Sequence, residues 1–306
     1  MIFSHDIADY PDGIVLPIDK PYRWTSADVI RKVKFAAIKH FRKKNLKVGH
    51  AGTLDPLATG VLLVCIGPAC KRAQEFQDHD KEYVAGIRFG ATTPSYDLEK
   101  EVDRTFPYGH VTEEAVRSAL PPFLGTQEQV APLFSAKSVD GVRAYEMARK
   151  MYRNAQKGIV DPDFDAAALE TLHHSTITIS ELELLDFSTP PEMTETGTSA
   201  SGVGQNFFDL FSGEKVFVRG GSADVRNSGT PSSRINVADT SGMGLPEAHI
   251  RIACSKGTYI RAFARDLGEA LGTGAHLSSL VRTRTGDFSI DQALTLDAAL
   301  ALLAEV

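Results

Sequence analysis

The sequence predicts an α+β fold in which helices flank a central, mostly antiparallel or mixed sheet. Three segments alternate apolar and polar residues with the two-residue period of a strand, namely 81–90, 175–187 and 247–255. Two further segments, 26–43 and 258–272, repeat apolar residues at helical spacing. Strands and helices are therefore expected together.

Flanking residues indicate where these elements begin and end. A strand-like segment, 13–21, opens the fold, and Thr25 with Asp28 fits a capping box before the first helix. The apolar stripe of that helix consists of Val29, Ile30, Val33, Ala37 and Phe41. A later short helix is expected to end at Pro121–Pro122, and Gly272 is expected to cap the last helix.

The length of 306 residues allows one large domain or two small ones, and we expect a single domain over 1–306. In Thr194–Gly244, 22 of 51 residues are Gly, Ser or Thr, a composition typical of flexible surface insertions. We therefore expect an insertion at about 190–245 between two strands, with a local hairpin around Ser212–Gly213 in 207–219.

Composition excludes several classes of protein. An apolar share of 42% with 24% charged residues is ordinary for a soluble globular chain. The three cysteines fit neither a disulfide framework nor a zinc pattern, so buried free thiols in a reducing compartment are expected. Residues 1–13 carry no secretion signal, and the apolar run 60–67 is too short to cross a membrane. We expect a cytoplasmic protein with no membrane partner and no metal site.

One segment is strongly basic although the net charge is −6. Residues 31–47 include no acidic residue and eight basic ones: Arg31, Lys32, Lys34, Lys39, Arg42, Lys43, Lys44 and Lys47. Burial of the apolar stripe would turn most of these charges to one exposed face. Such a face suits a nucleic-acid backbone, which responds to local charge. The alternative is an ordinary solvated helix face.

The stretch "GHAGTLDPLATG", 49–60, places an Asp-Pro pair between glycines. Asp55 could cap a helix with Pro56 at its first position, although Gly60 would stop that helix within a turn. Alternatively, the glycines indicate a loop whose backbone approaches another group closely. Pro56 then favours an extended Asp55 and fixes the direction of its carboxylate.

Five motifs resemble those of the TruB family of tRNA pseudouridine synthases, and they follow one another along the chain in the order of that family. "GHAGTLDPLATGVLLVCIGPACK" is similar to the catalytic motif of that family, and "DGIVLPIDKPYRWTSADVIRKVK" to its N-terminal motif. The others are "KEYVAGIRFG", "APLFSAKSVDGVRAYEMAR" and "CSKGTYIRAFARDLGEALGTGAHLSSLVRTR". The resemblance implies a pseudouridine-synthase fold.

The resemblance also implies catalytic roles. Asp55 matches the catalytic aspartate, acting as nucleophile or base, and Arg261 matches the arginine that pairs with it. Tyr83 matches a tyrosine that packs on the target base and is a candidate for the C5 proton step. Without the resemblance, Arg261 would be a surface helix arginine and Tyr83 a sheet-core tyrosine.

Further positions match residues that contact the substrate. His50 matches a histidine that fits into the RNA loop beside the extruded nucleotide. Tyr259 and Leu280 match a substrate-contacting tyrosine and a pocket leucine. Asp97 and Lys20 match positions with a substrate-contact or supporting role.

The implied reaction converts the T-loop uridine at tRNA position 55 to pseudouridine. The base is flipped out, and its glycosidic bond is broken and re-formed at C5. No electrons are gained or lost overall, so no cofactor is expected. The expected partner is the T-arm of tRNA, and a monomer is expected. Two alternatives stay open: an RNA-binding or tRNA-folding protein of this fold without turnover, and another glycosidic-bond enzyme acting on nucleosides.

The sequence departs from the family pattern at three places. "KPYRWTS" stands where the family has KPxGxTS, so Tyr22, Arg23 and Trp24 crowd a turn that is usually open. Ala131-Pro132 stands where two prolines are usual. The C-terminal PUA domain of many members is not expected here, because the catalytic motifs extend almost to the end of the sequence.

Overall fold

A computed structural model describes residues 3–132, 138–139, 142–143, 174–189, 235 and 237–304. Within this part of the chain, five α-helices pack on a sheet of ten strands. The helices are α1 (Ser26–His40), α2 (Ala73–Asp78), α3 (Glu113–Ala119), α4 (Ile260–Ala270) and α5 (Leu296–Leu302).

Fourteen strands are described, ten of them in the main sheet. They are β1 (Ile14–Lys20), β2 (Val48–Ala51), β3 (Thr59–Ile66), β4 (Lys81–Phe89), β5 (Ala91–Thr92), β6 (Arg104–Thr105), β7 (Gly125–Val130), β8 (Ser138–Val139), β9 (Val142–Arg143), β10 (His174–Ser188), β11 (Glu247–Cys254), β12 (Ala275–Thr285), β13 (Phe288–Ser289) and β14 (Leu294–Thr295).

The main sheet has the order β14-β1-β3-β12-β4-β11-β10-β7, with β2 paired to β3 and β13 to β12. Only β1–β14 and β3–β12 pair in parallel among these strands. β5–β6 and β8–β9 form separate pairs. The predicted α+β class with a mostly antiparallel, mixed central sheet is confirmed.

The first helix has the predicted start and an earlier end. Both hydrogen bonds of the capping box between Thr25 and Asp28 are present. The helix was expected to run to Lys43 but ends at His40. Arg42 has a φ of +50°, a left-handed conformation that stops a helix, so the last charges of the basic segment lie in a loop.

The sequence patterns miss two central strands, β3 and β12. In β3 every residue after Thr59 is buried, because the strand lies inside the sheet with side chains packed on both faces. Its alternate residues enter two hydrophobic clusters. Leu62, Val64 and Ile66 join the main core with the buried stripe of α1, and Val61, Leu63 and Cys65 pack in the second cluster with Phe76. No polar alternation remains to reveal such a strand.

Cys65 and Cys254 are buried free thiols as predicted, whereas Cys70 is only half-buried. Burial raises the pKa of the Cys65 thiol to about 11, so it stays protonated. None of the described helices is long and apolar enough to cross a membrane. In the described ranges there is also no cluster of three or more metal-binding side chains. The expected hairpin and most of the expected insertion lie outside the described residues.

Candidate active site

Asp55 lies in a turn between β2 and β3. The Ala58 N–H donates to the Asp55 carbonyl oxygen at 3.1 Å, which closes a four-residue turn with Pro56 at its second position. β3 begins at Thr59, directly after this turn. The alternative in which Asp55 caps a helix is therefore wrong.

The backbone of this turn is fixed from the side of β1 and α1. The Ser26 hydroxyl is 3.1 Å from the Leu54 carbonyl oxygen and 3.0 Å from the Leu54 nitrogen. The Lys20 Nζ and the backbone N–H of Arg23 both donate to the Pro56 carbonyl oxygen, at 3.2 Å and 2.9 Å. Because the residues before and after Asp55 are held, the fold sets the direction of its carboxylate.

A second set of bonds comes from Arg282 on β12, the other neighbour of β3. This side chain is 1% exposed. Its guanidinium donates to three carbonyl oxygens, those of Val61 (Nε, 2.7 Å), Gly52 (Nη2, 3.1 Å) and Thr53 (Nη1, 3.5 Å). Arg282 therefore joins the start of the Asp55 loop to the strand that follows it.

The backbone of Arg282 also explains why the last residue of the stretch 49–60 is a glycine. Gly60 pairs with Arg282 across the two strands and has a φ of +97°. A Cβ at Gly60 would lie 2.2 Å from the Arg282 carbonyl oxygen. Only glycine fits this close approach.

Arg261, the second residue of α4, binds the Asp55 carboxylate with two donors. Its Nε is 2.9 Å from Oδ2 of Asp55, and its Nη2 is 3.3 Å from Oδ1. The same Nε lies 3.8 Å from Oδ2 of Asp97. Its Nη1 donates to the Ser95 carbonyl oxygen at 3.1 Å. The guanidinium is thus fixed in both position and orientation between two carboxylates.

Asp97 is held by its own loop. The Ser95 hydroxyl donates to Oδ1 of Asp97 at 2.6 Å, and the Glu99 N–H donates to the same oxygen at 2.9 Å. The side chain of Asp97 is 7% exposed, against 36% for that of Asp55. Of the two carboxylates on Arg261, that of Asp55 is therefore the more accessible to a substrate.

Burial and like charges shift the pKa values of this cluster. Burial raises the pKa of Asp97; Arg261 lowers it and Asp55 raises it further. Burial, then Asp97 and Asp55, raise the pKa of Glu99 from 4.5 to about 7. Burial alone would lower the pKa of Arg261, but Asp55 and the other carboxylates raise it overall, so the guanidinium stays charged.

A pocket opens beside Asp55. Its lining combines the charged cluster with apolar side chains and consists of Asp55, Leu57, Ala58, Asp97, Leu98, Arg261, Leu277, Ser278, Ser279 and Leu280. An apolar pocket with a few convergent charges is typical of a small-molecule or base-binding site. Four of the predicted site residues meet here, namely Asp55, Asp97, Arg261 and Leu280.

The other predicted site residues lie outside the lining. Tyr83 is buried on β4, with its Cα opposite that of Arg282. Burial raises the pKa of Tyr83 although Arg282 acts in the opposite direction. His50 lies on β2, and its pKa is lowered by burial and then by Arg282, which favours the neutral imidazole. The His50 Nδ1 has no hydrogen-bond partner among the described residues.

Lys20 and Tyr259 lie next to the loops that form the site. Lys20 is fully buried and donates to the carbonyl oxygens of Pro21, Trp24 and Pro56. Burial lowers the pKa of Lys20 to about 7, although Asp55 and Asp19 raise it. Tyr259 precedes α4, and its backbone is bound by the Gln129 amide.

The departure at Arg23 has a structural counterpart. Arg23 has a φ of +63°, the left-handed conformation that favours the glycine usual at this place. Its guanidinium donates to the Ile235 carbonyl oxygen at 2.9 Å. The turn therefore keeps its glycine-like geometry with a larger side chain.

Sequence reasoning missed Arg282, Ser95 and Glu99. Arg282 lies inside a quoted motif, but an arginine in "SSLVRTR" reads as exposed until β12 is known to be central. Ser95 and Glu99 each lie two residues from Asp97, and no pattern in the sequence connects this loop to Asp55. Their contribution depends on contacts between distant parts of the chain.

Comparison with known proteins identifies the class of this fold. The family model of the TruB family pseudouridylate synthase N-terminal domain matches residues 39–161. The model of the tRNA pseudouridylate synthase B C-terminal domain matches residues 261–305. A chain of an H/ACA ribonucleoprotein bound to a substrate RNA has the same fold, with a TM-score of 0.52 and 20% identity. That likeness covers 95% of this chain and 53% of the other, so this chain spans about half its length.

Curated relatives give the particular family. The tRNA pseudouridine synthase B of Phocaeicola vulgatus is 40% identical over 289 residues, covering 94% of this chain and 92% of the relative. That of Bacteroides thetaiotaomicron is 42% identical over 286 residues, with 94% and 91% covered. The chain belongs to the TruB family of pseudouridylate synthases.

Proposed function

We propose that this protein converts the T-loop uridine at tRNA position 55 to pseudouridine. The observation that carries the proposal is the Asp55 carboxylate, accessible at the pocket and bound by the buried Arg261. The name of the curated relatives, tRNA pseudouridine synthase B, supports tRNA as the substrate.

The reaction breaks the N1–C1′ bond, turns the base, joins C5 to C1′ and removes the proton from C5, while N1 gains a proton, so that product and substrate are isomers. It requires an ionised carboxylate beside the sugar, acting as nucleophile or base. Asp55 takes this role by attacking C1′, by adding to the base or by deprotonating the sugar. Arg261 aims the Asp55 carboxylate through its two hydrogen bonds, and Asp97 fixes Arg261 from its buried side.

A uridine in folded RNA must leave its stack to reach this pocket, at a cost of about a few kcal/mol. His50 lies on the strand that leads into the Asp55 loop, so it is suited to fill the space left by the base. Leu280 and Tyr83 hold the flipped base, with Tyr83 a candidate for the C5 proton step. Tyr259 supports the substrate at the start of α4, and Lys20 supports the Asp55 loop through Pro56.

We further propose a single catalytic domain over 1–306 with a surface insertion at about 190–245. The continuous sheet, which joins strands from both ends of the described chain, supports this organisation. We propose that the enzyme works in the cytoplasm as a monomer on the T-arm, without a cofactor.

The test uses the wild-type protein and an unmodified tRNA transcript labelled with tritium at C5 of uridine. Tritium release, with pseudouridine mapped to position 55 by mass spectrometry, is the expected result. Binding without tritium release would instead indicate an RNA-binding or tRNA-folding protein. Free uracil as the product would indicate a nucleoside glycosidic-bond enzyme that uses Asp55 and Asp97 as paired carboxylates.

A further inference from the structure

The outer face of α1 combines positive charge with an exposed aromatic ring. Phe35 is 76% exposed, more than any other large apolar side chain in the described part of the chain. Arg31, Lys32 and Lys39 lie three or four residues from Phe35 on the helix and therefore share its face. All three are exposed. We call these four residues the α1 face.

A pocket beside the α1 face is lined by three further lysines. Lys34, Lys44 and Lys47 line it together with the backbone of Gly49 and other residues that are not acidic. We call the three residues the lysine pocket. Lys34 belongs to α1 and Gly49 to β2, so the pocket joins the helix to the strand that carries His50.

The α1 face is connected to the catalytic loop. The Ser26 hydroxyl, in the first residue of α1, binds the backbone of Leu54 next to Asp55. Phe35 lies nine residues further along, about 14 Å along the helix axis at the rise of an α-helix. One RNA molecule held at Asp55 can therefore also reach Phe35 and the lysine pocket.

We propose that the α1 face and the lysine pocket form a second RNA-binding surface, outside the site that takes the target uridine. An unpaired base stacks on Phe35, and backbone phosphates bind the lysines. The proposal rests on the proposed function for the identity of the RNA as tRNA.

The charges favour RNA over a protein partner. Asp28 is the only acidic residue of α1, and its carboxylate already binds Arg31 at 2.7 Å. Lysines are depleted from the cores of protein–protein interfaces. Basic grooves with aromatic platforms are instead typical of single-stranded nucleic-acid binding.

The experiment measures the dissociation constant of an unmodified tRNA transcript in the Asp55→Asn background, which prevents turnover during binding. Phe35→Ala should raise this constant about fivefold or more, because a stacked base contributes at least about that factor. Phe35→Trp should bind as tightly as the parent, and Phe35→Leu should bind as weakly as the alanine variant. Arg117→Gln, on α3, removes one exposed positive charge elsewhere and is the control.

The lysine pocket is tested by salt dependence. The triple variant Lys34→Gln, Lys44→Gln and Lys47→Gln should lower the slope of log Kd against log salt by about 2, because each phosphate that a lysine neutralises adds about 0.7–0.9 to that slope. All altered residues are exposed, so thermal unfolding should match that of the parent.

Three results would overturn the proposal. One is a Phe35→Ala variant that binds like Arg117→Gln, and the second is an unchanged salt slope in the triple variant. The third is a Phe35→Leu variant that binds tRNA as tightly as Phe35→Trp, since base stacking on an aromatic ring would then contribute nothing. Failure of the wild-type protein to convert tRNA would contradict the proposed function and leave these binding outcomes readable.

Discussion

Arg261 and Arg282 are both buried and both bind the loop of Asp55, but their partners differ. Arg261 donates to the Asp55 carboxylate and lies beside that of Asp97. Arg282 instead donates to three carbonyl oxygens, those of Gly52, Thr53 and Val61, and its other side-chain partner is Tyr83. We infer that Arg261 sets the charge around Asp55, whereas Arg282 sets the shape of its loop.

The largest expected effect follows from removing the charge of Arg261. Arg261→Met leaves Asp55 unaimed and Asp97 buried without its counter-charge. We expect the single-turnover rate on tRNA to fall by about 100-fold or more, the penalty of a misplaced catalytic group. The free energy of unfolding should fall by about 3–5 kcal/mol, as for other broken buried ion pairs. Samples quenched at successive times with saturating enzyme measure the single-turnover rate, and urea unfolding measures the stability.

Arg261→Lys is the matched control because it keeps the charge but loses the planar fork that binds both oxygens of Asp55. It should be intermediate in rate. A near wild-type rate for Arg261→Met would contradict the inference that Arg261 sets the charge around Asp55.

Arg282→Met tests whether Arg282 sets the shape of the Asp55 loop. Three carbonyl oxygens lose a donor, and the bond to that of Val61 is fully buried, so the free energy of unfolding should fall by at least the cost of one unsatisfied buried group, about 1–3 kcal/mol. Where the variant is folded, its single-turnover rate should fall less than that of Arg261→Met. Arg282→Lys should recover little stability, since one ammonium cannot span Val61 and Gly52. An Arg282→Met variant with full stability and a rate as low as that of Arg261→Met would contradict this division of roles between the two arginines.

Glu99→Gln tests the charge cluster through pH. The raised pKa of Glu99, about 7, means that the folded protein keeps a proton that the unfolded chain releases. This contribution to stability is complete below about pH 4.5 and is lost as the pH rises through about 7. At pH 8 the neutral glutamine variant should therefore be more stable than the wild type, by up to about 3 kcal/mol.

Urea unfolding at pH 4.5 and pH 8 checks this difference, which should disappear at the lower pH. Glu114→Gln, at an exposed position of α3, is the control and should show no such change. An equal effect of Glu99→Gln at both values would mean that Glu99 is ionised without penalty.

The smallest expected effect concerns Arg23, which shapes the loop through its backbone. Arg23→Ala loses the bond to Ile235 but keeps the left-handed strain, whereas Arg23→Gly removes that strain. Arg23→Gly should therefore be more stable than Arg23→Ala, by about 1 kcal/mol. Thermal unfolding measures the order of the two variants, and the reverse order would mean that the strain at this position is negligible.

The sequence predicts the elements whose two faces differ and misses two central strands of the sheet. β4, β10, β11 and the amphipathic helices are visible as periodic patterns. β3 and β12 are not, although they are the strands that carry the Asp55 loop into the sheet and hold Arg282. In β3 the alternation disappears because both faces of the strand are packed. In β12 it is obscured because polar His276, Arg282 and Thr285 are buried and two register shifts interrupt the two-residue period.

The site was predictable only through the family resemblance. Asp55 and Arg261 are 206 residues apart, and neither residue by itself indicates the other. The motifs named both residues but not Arg282, Ser95 or Glu99, whose roles depend on hydrogen bonds to the backbone or on the electrostatic environment. Such contacts require the assembled sheet.

Asp55 is expected to perform the chemistry once Arg261 and Arg282 have fixed it. The most direct measurement of this role is the single-turnover rate of pseudouridine formation by Asp55→Asn on a saturating, unmodified tRNA transcript. We expect tRNA binding with no detectable pseudouridine at position 55, since the amide has no carboxylate to act as nucleophile or base. Conversion at a rate near that of the wild type would contradict this role of Asp55.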